Sequence, residues 1–342
     1  MQAVTFSAFG GPEVIEIREH SVRQPGPGEV VVDVAAASIN PTDIMMRSGA
    51  QAKTMTDLRP PYVAGMEFSG RVADTGQGVG LTVGQPVIGV VNPRRPAGGA
   101  QAQRVCVPAA WVAAIDEKID LTAAASVAMN SLTAALALEM LDLSPGQTLL
   151  VTGGTGIMGG FAIQLAREAG LTVLANGADR DRSLLMELGA HEVLPRDAAD
   201  LDPALHTACP AGVGGLIDGA LIGAKLSHRV RDGGGAVALR ASHPIEDARL
   251  RTFVVSVGKA ISEAAQNERI ARIIERIARH LERGILTPRL ARGGRVRFQR
   301  CGSSVRDGRT RRPSRPRDVD FQVVCRRSPA LAAWSDSVRQ IS

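Results

Sequence analysis

The residues with the clearest chemical meaning in this sequence are glycines at a fixed spacing, Gly154, Gly156 and Gly159. In a G-x-G-x-x-G arrangement, the first glycine permits a tight turn, the second lets a pyrophosphate approach the backbone, and the third lets a helix pack closely on a strand. The anion then accepts hydrogen bonds from unpaired N–H groups at the N-terminus of the helix. The predicted cofactor-binding residues of this turn are Gly153, Gly154, Thr155, Gly156, Ile157, Met158 and Gly159.

The elements on either side of the turn decide whether this spacing is meaningful, since isolated glycine patterns are common. Residues 147–152 are rich in aliphatic and β-branched side chains. After the glycines, Ile157, Phe161 and Leu165 recur every four positions, as on one face of a helix. A second apolar run covers residues 171–175. This order predicts a strand, a turn, a helix and a strand, which is the repeating unit of a doubly wound parallel sheet.

The end of the second strand indicates which dinucleotide is bound. An NAD-dependent enzyme usually places an acidic residue there, which binds the ribose 2′-hydroxyl. Residues 175–178 contain none, and three arginines follow, at Arg180, Arg182 and Arg196. A guanidinium group suits a 2′-phosphate because its donors match the oxygens in pairs. We therefore predict NADP(H), held in part by these arginines, although Asp179 is close enough to keep NAD(H) as an alternative.

The rest of the chain predicts a second domain and a late helix. Residues 1–110 are short apolar runs separated by glycine and proline turns, which indicates a mostly β domain. The three glycines at 233–235 predict a turn before a strand, and residues 253–257 predict another strand. A late amphipathic helix is expected to return the chain to the β domain through Thr287 and Pro288. Its apolar face consists of Ile270, Ile273, Ile274, Ile277 and Leu281.

Further segments keep the order and spacing of a known family. They are residues 38–43, 47–49, 61–70, 83–87, 129–134, 188–190 and 215–218. With the glycine turn, they resemble the zinc-independent, zeta-crystallin-like quinone oxidoreductases of the medium-chain dehydrogenase/reductase superfamily, from about residue 1 to residue 291. The resemblance implies an α/β fold in which a GroES-like β domain is interrupted by a Rossmann domain, with the active site in the cleft between them. It also implies a homodimer formed through the sheet edge near residues 253–257.

The expected domain boundaries follow from these patterns. We assign residues 1–120 to the N-terminal part of the GroES-like catalytic domain and residues 121–258 to the Rossmann domain. Residues 259–291 are the helix that returns to the catalytic domain, and residues 292–342 are an atypical arginine-rich tail.

The absence of zinc ligands separates this chain from the metal-dependent relatives. Those enzymes hold zinc with a cysteine and with the histidine of a Gly-His-Glu segment. Asn40 and Met66 stand at these two positions, and an amide and a thioether do not replace a thiolate and an imidazole as zinc ligands. We expect no metal, and we expect Glu67 to support the fold.

A nicotinamide without a metal favours hydride transfer to a quinone or an activated enone, with the protein aligning the reactants and polarising the acceptor oxygen. The resemblance implies Asn40, Arg47 and Thr133 as the catalytic polar groups near the nicotinamide. Asn40 precedes Pro41, so its alternative role is to form a turn. Many relatives carry a tyrosine where Met45 stands here, which leaves the proton donor unidentified.

Composition excludes several classes of protein. The chain has 342 residues, 44% hydrophobic and 22% charged, as expected for a globular protein with two domains. The first eighteen residues lack the pattern of a signal peptide. Residues 121–138 carry no charge, but their alanines and hydroxyl groups favour a buried helix over a membrane span. Four scattered cysteines without metal-ligand spacing fit a reducing, cytoplasmic location.

The tail differs from the body in charge and in pattern. Residues 292–342 contain thirteen arginines and four aspartates, with neither lysine nor glutamate. The body has 27 basic and 30 acidic residues, so it gives no reason to expect a nucleic-acid partner. No helical or strand period is found in residues 292–317, where relatives continue with a helix and a closing strand. We favour a shifted reading frame over a genuine basic extension, and resequencing of the coding region tests this hypothesis.

Three alternatives stay open. A dinucleotide-binding protein without turnover would bind NADPH and oxidise none of it, and an enzyme inactivated by an aberrant C-terminus would behave in the same way. A nucleic-acid-binding protein acting through the arginine-rich tail would lose affinity steeply as salt rises.

Overall fold

The computed structural model describes residues 1–289, 295–298 and 321–325. The chain divides into two compact units, Met1–Ser126 with Leu290–Ser342, and Val127–Arg289. The second unit therefore begins at Val127, rather than at residue 121 as expected. It also retains the late helix, which was expected to form a separate connection to the β domain.

The first unit consists mainly of β-strands. The elements of its continuous part are β1 (Gln2–Phe6), β2 (Ile15–Glu19), β3 (Glu29–Ile39), α1 (Pro41–Arg47), β4 (Tyr62–Val63), β5 (Glu67–Thr75), β6 (Pro86–Val90), β7 (Arg104–Pro108), β8 (Val112–Ala114) and α2 (Leu121–Ala124). Strand β3 is the centre of the larger sheet, because it pairs antiparallel with both β5 and β7. Its run of valine and alanine is almost continuously buried, as expected for a strand covered on both faces. This burial fixes the position of Asn40, the residue that follows β3.

The second unit contains a six-stranded parallel sheet. Its elements are α3 (Ala128–Leu141), β9 (Thr148–Thr152), α4 (Ile157–Glu168), β10 (Thr172–Asn176), α5 (Arg182–Glu187), β11 (Glu192–Leu194), α6 (Ala198–Ala208), β12 (Val213–Asp218), β13 (Val230–Ala238), β14 (Arg251–Val254), α7 (Val257–Ser262) and α8 (Asn267–Glu282). The strand order is β11-β10-β9-β12-β13-β14, with every pair parallel. The doubly wound parallel sheet predicted from the sequence is confirmed.

The helices of the second unit follow the apolar patterns of the sequence. Helix α8 buries the predicted face of four isoleucines and a leucine, and Gly284 follows it with φ +69°. The uncharged stretch at 121–138 forms α2 and most of α3, and ten of the fourteen residues of α3 are buried. Among the described residues, no helix has both the length and the apolar character needed to cross a membrane.

Two strand predictions in the second unit need correction. The three glycines at 233–235 lie inside β13 rather than in a turn before it, and the pairing with β12 shifts register there. Gly233 has φ +72° and donates its N–H to the Arg249 carbonyl, so the chain bulges without ending the strand. The last strand covers Arg251–Val254, and helix α7 already begins at Val257. Strand β14 lies at one edge of this sheet.

Two short strands in the tail join the sheet of the first unit. They are β15 (Arg295–Phe298) and β16 (Phe321–Cys325), which pair with each other antiparallel. Strand β16 also pairs parallel with β3, from Gln322 opposite Ala36 to Cys325 opposite Ile39. Strand β15 corrects the expectation of no strand in residues 292–317, because its alternating pattern of four residues is too short to register as a period. The basic segment at 309–317 lies outside the described residues.

Candidate active site and dinucleotide turn

The glycine turn joins strand β9 to helix α4 in the second unit. Gly153 adopts φ +68°, and Gly156 donates its N–H to the Gly153 carbonyl at 2.9 Å, which closes the turn. A Cβ atom on Gly153 would lie 2.8 Å from the backbone carbonyl carbon of Gly219. The tight turn was assigned to Gly154, the first glycine of the spacing, and the residue with the left-handed conformation is Gly153, one position earlier.

The other glycines of the turn serve close packing. A Cβ atom on Gly154 would lie 2.8 Å from Ile163 Cδ1 and 3.0 Å from Leu185 Cδ2. A Cβ atom on Gly159 would lie 2.4 Å from the Gly153 carbonyl oxygen, so only glycine lets the first turn of α4 rest on the loop. Gly156 is the N-cap of α4, with φ −70° and ψ 160°. This geometry presents the helix N-terminus, with its partial positive charge, at the carboxyl end of the sheet.

A buried carboxylate fixes the loop next to the turn. Asp218, at the end of β12, accepts a hydrogen bond from Thr152 Oγ1 at 2.6 Å. It also accepts the N–H groups of Ile222 and Gly223, at 3.1 and 2.8 Å. Asp218 is therefore a structural residue that orders two neighbouring strand ends. The sequence had shown it only as part of a family segment.

The end of β10 is tied to the glycine turn by an amide. Asn176 Oδ1 accepts the N–H of Gly153 at 3.0 Å, and Asn176 Nδ2 donates to the Arg196 carbonyl at 3.4 Å. Asn176 is buried, so these bonds replace the water that its amide loses. The position that often carries an acidic residue in NAD-dependent enzymes therefore has a structural role here.

The three predicted phosphate-binding arginines differ in their surroundings. Arg180 and Arg196 are exposed, in the segments that follow β10 and β11. Arg182 is exposed as well, but it donates from a guanidinium nitrogen to the Val193 carbonyl at 3.0 Å. The structure thus leaves Arg180 and Arg196 as the more accessible donors for a 2′-phosphate.

In the first unit, two polar residues, Asn40 and Asp43, lie at the start of helix α1. Asn40 is its N-cap and Pro41 its first residue, a common arrangement at helix starts. Asp43 Oδ2 accepts the Asn40 N–H at 2.7 Å, and Asp43 Oδ1 accepts the Gly65 N–H at 2.9 Å. Asp43 therefore joins the start of α1 to the loop before β5.

A second carboxylate, Glu67, lies in the same buried cluster. Its Oε1 accepts a hydrogen bond from Ser38 Oγ at 2.6 Å and another from Asn40 Nδ2 at 3.0 Å. Asn40 Nδ2 also donates to Ser38 Oγ at 2.7 Å, so both hydrogens of the amide are engaged. Asn40 consequently holds Glu67 in place, in addition to capping α1.

The sequence did not indicate that Asp43 and Glu67 form a buried pair. Burial raises the pKa of Asp43 from 3.8 to about 7, the two backbone hydrogen bonds oppose this rise, and the charge of Glu67 adds to it. The two residues are separated by 24 positions in the chain. The features of the sequence that could have indicated the pair are the Asn-Pro-x-Asp segment and Glu67.

The remaining catalytic candidates also have local contacts. Arg47 is buried at the end of α1, and burial lowers its pKa. Thr133, in helix α3 of the second unit, donates its hydroxyl to the Met129 carbonyl at 2.7 Å. This bond within the helix leaves the threonine oxygen as an acceptor.

No metal site is formed by side chains within residues 1–289, the part of the chain described with side chains. No group of three or more histidine, cysteine, aspartate or glutamate residues there could hold an ion. At the positions that bind zinc in metal-dependent relatives, the Asn40 amide is engaged with Glu67, and Met66 is buried.

Comparisons with known proteins agree with this architecture. Residues 26–117 match the alcohol dehydrogenase GroES-like domain. The chain is 28% identical over 256 residues to a quinone oxidoreductase from Sus scrofa, covering 72% of this chain and 75% of that protein. The structure of a quinone oxidoreductase from Coxiella burnetii superposes with a TM-score of 0.71 at 24% identity, covering 85% of this chain and 90% of the other. The structure of a mycobacterial protein in complex with NADPH superposes with a TM-score of 0.70 at 24% identity, covering 86% of this chain and 92% of the other.

Proposed function

This chain belongs to the medium-chain dehydrogenase/reductase superfamily and is a quinone oxidoreductase-like oxidoreductase, and we propose that it transfers a hydride from NADPH to a quinone or an activated enone. The observation that carries this proposal is the turn between β9 and α4. Gly153 closes that turn and Gly159 allows the helix to rest on it, so the N-terminus of α4 can donate backbone N–H groups to a pyrophosphate.

The residues of this chain would act by binding and alignment. The glycine turn and the arginines after β10 and β11 would hold the phosphates, while the dinucleotide supplies the hydride. The acceptor gains that hydride and a proton, and solvent is the simplest proton source where Met45 replaces a tyrosine. The proposal includes a cytoplasmic homodimer that uses edge strand β14, on which Val254 is 42% exposed.

NADPH oxidation with a panel of quinones and enones tests the reaction. We expect turnover with at least one acceptor. This turnover should survive exhaustive chelation, because the described part of the chain contains no group of three or more histidine, cysteine, aspartate or glutamate residues that could hold a metal ion. Complete loss of turnover after chelation, with recovery on adding zinc, would contradict the proposal.

A second candidate is an NADPH-binding protein without turnover. The hydroxyl of Thr133 and both amide hydrogens of Asn40 are already engaged in hydrogen bonds, which leaves these groups without a spare donor for an acceptor oxygen. A reading frame shifted after residue 291 remains our hypothesis for the tail and would lead to the same behaviour. Tight NADPH binding without oxidation by any acceptor would favour this candidate.

The choice between NADPH and NADH gives a further prediction. The double variant Arg180→Ala/Arg196→Ala should lower the preference for NADPH by about tenfold, since a charge-assisted hydrogen bond contributes about 1.5 kcal/mol or more. Dissociation constants for both dinucleotides are the measurement. Arg272→Ala, which removes an exposed arginine of α8, is the matched control. Equal affinity of the unaltered protein for NADH and NADPH would show the assignment to be wrong.

A further inference from the structure

Arg289, at the end of the second unit, lies beside the glycine turn although 134 positions separate it from Thr155. Its guanidinium nitrogen NH1 is 3.5 Å from the Thr155 carbonyl oxygen. The same nitrogen would lie 3.7 Å from a Cβ atom on Gly160, in the first turn of α4. A positive charge is therefore placed next to the loop between Gly154 and Gly156.

A buried glutamine fixes the segment that carries Arg289. Gln164, in the middle of α4, accepts the Thr287 N–H on its Oε1 at 2.8 Å. Its Nε2 donates to the Gly160 carbonyl at 3.1 Å, so one amide joins the segment to α4. Pro288 lies between Thr287 and Arg289 and restricts the backbone there. The hydrogen bond of Thr287 and the ring of Pro288 therefore restrict the backbone immediately before Arg289.

The location is electrostatically unusual for an arginine. The N-terminus of a helix carries partial positive charge, and basic side chains are normally favoured at the opposite end. The first turn of α4 contains no acidic residue. An anion with several oxygens, placed on the turn, would interact favourably with both the helix N-terminus and the guanidinium group.

We propose that Arg289 binds the pyrophosphate of the dinucleotide, an inference that rests on the proposed function of the glycine turn. The pyrophosphate fits better than the 2′-phosphate, because Thr155 belongs to the G-x-G-x-x-G loop. The residues that contact the 2′-phosphate lie about twenty positions after the glycine motif, at the end of the second strand. Arg289 then binds NADPH and NADH alike, whereas Arg180 and Arg196 distinguish them.

Titration calorimetry on the full chain tests this assignment with NADPH, NADH and adenosine 2′-monophosphate, which lacks the pyrophosphate. Arg289→Ala should weaken the binding of both dinucleotides at least about tenfold and leave that of the monophosphate unchanged. Arg289→Lys should recover part of the affinity, since it keeps the charge but not the paired donors. Arg283→Ala removes a nearby exposed arginine and is the matched control. Melting curves verify that each variant is folded.

The outcomes separate this inference from the proposed function. If Arg289→Ala binds both dinucleotides as tightly as Arg283→Ala does, the inference is overturned, while the proposed reaction stays intact. A loss confined to NADPH and adenosine 2′-monophosphate would also overturn it, by assigning Arg289 to the 2′-phosphate. Weaker binding of both dinucleotides would support it even if the protein reduced no quinone. Failure of the unaltered protein to bind either dinucleotide would overturn both.

Discussion

A Gly156→Val variant is expected to keep its fold and to bind NADPH at least about a hundredfold more weakly than the unaltered protein, a loss of about 2.7 kcal/mol. The backbone of Gly156, with φ −70° and ψ 160°, lies in a region that a β-branched residue adopts without strain. The valine side chain would, however, occupy the path by which the pyrophosphate approaches the backbone. Calorimetric titration with NADPH measures the effect.

The control for this variant is a glycine that lies far from any turn of this type. A Cβ atom on Gly80, in the first unit, meets no atom within 4 Å, so Gly80→Val should leave NADPH affinity unchanged. If Gly156→Val binds NADPH as tightly as Gly80→Val does, the glycine turn is not the dinucleotide site.

An Asp43→Asn variant is expected to destabilise the first unit by about 1–3 kcal/mol. Asp43 accepts two backbone N–H groups in a fully buried position, and an asparagine side chain offers one acceptor oxygen and one donor nitrogen. Above the Asp43 pKa of about 7, where the carboxylate is ionised, one buried N–H group therefore loses its partner in the variant. Chemical denaturation measures the free energy of unfolding, and Asp57→Asn, at an exposed aspartate of the same unit, is the control.

The pH dependence of this effect has a definite sign. The folded pKa of Asp43, about 7, is above its ordinary value of 3.8, so in this interval the folded state holds more protons than the unfolded state. The free energy of unfolding should then fall as pH rises from about 4 to 7. Asp43→Asn lacks this group, so the difference between the two proteins should narrow over that range. A difference that stays constant or widens over this range would show that Asp43 is already ionised in the folded protein.

The structural features that depend on a local pattern of residues could be predicted from the sequence. The spacing of Gly154, Gly156 and Gly159 indicated the turn between a strand and a helix, and the isoleucines of α8 indicated its buried face. The sign of φ at Gly153 could not be read from spacing, because neighbouring glycines permit several turn conformations.

Contacts between distant segments explain most of what the sequence did not show. Asp43 and Glu67 come together because β3 and β5 pair in the folded sheet. Arg289 reaches Thr155 because Gln164 holds the segment before it. Contacts of this kind produce no periodic pattern in the sequence. They nevertheless determine where charged residues such as Asp43 and Arg289 lie in the folded protein.

The hydrogen bonds of Asn176 limit how the coenzyme specificity of this protein could be redesigned. Introducing an acidic residue at the end of β10 is the obvious route toward NADH, and Asn176→Asp would do so with little change in shape. The new carboxylate would be buried, and one of its oxygens would face the Arg196 carbonyl where the amide now donates. Repulsion there would disturb the loop that also supports Gly153. A designer would retain Asn176 and introduce the acid at the half-buried Ala178, two residues further along.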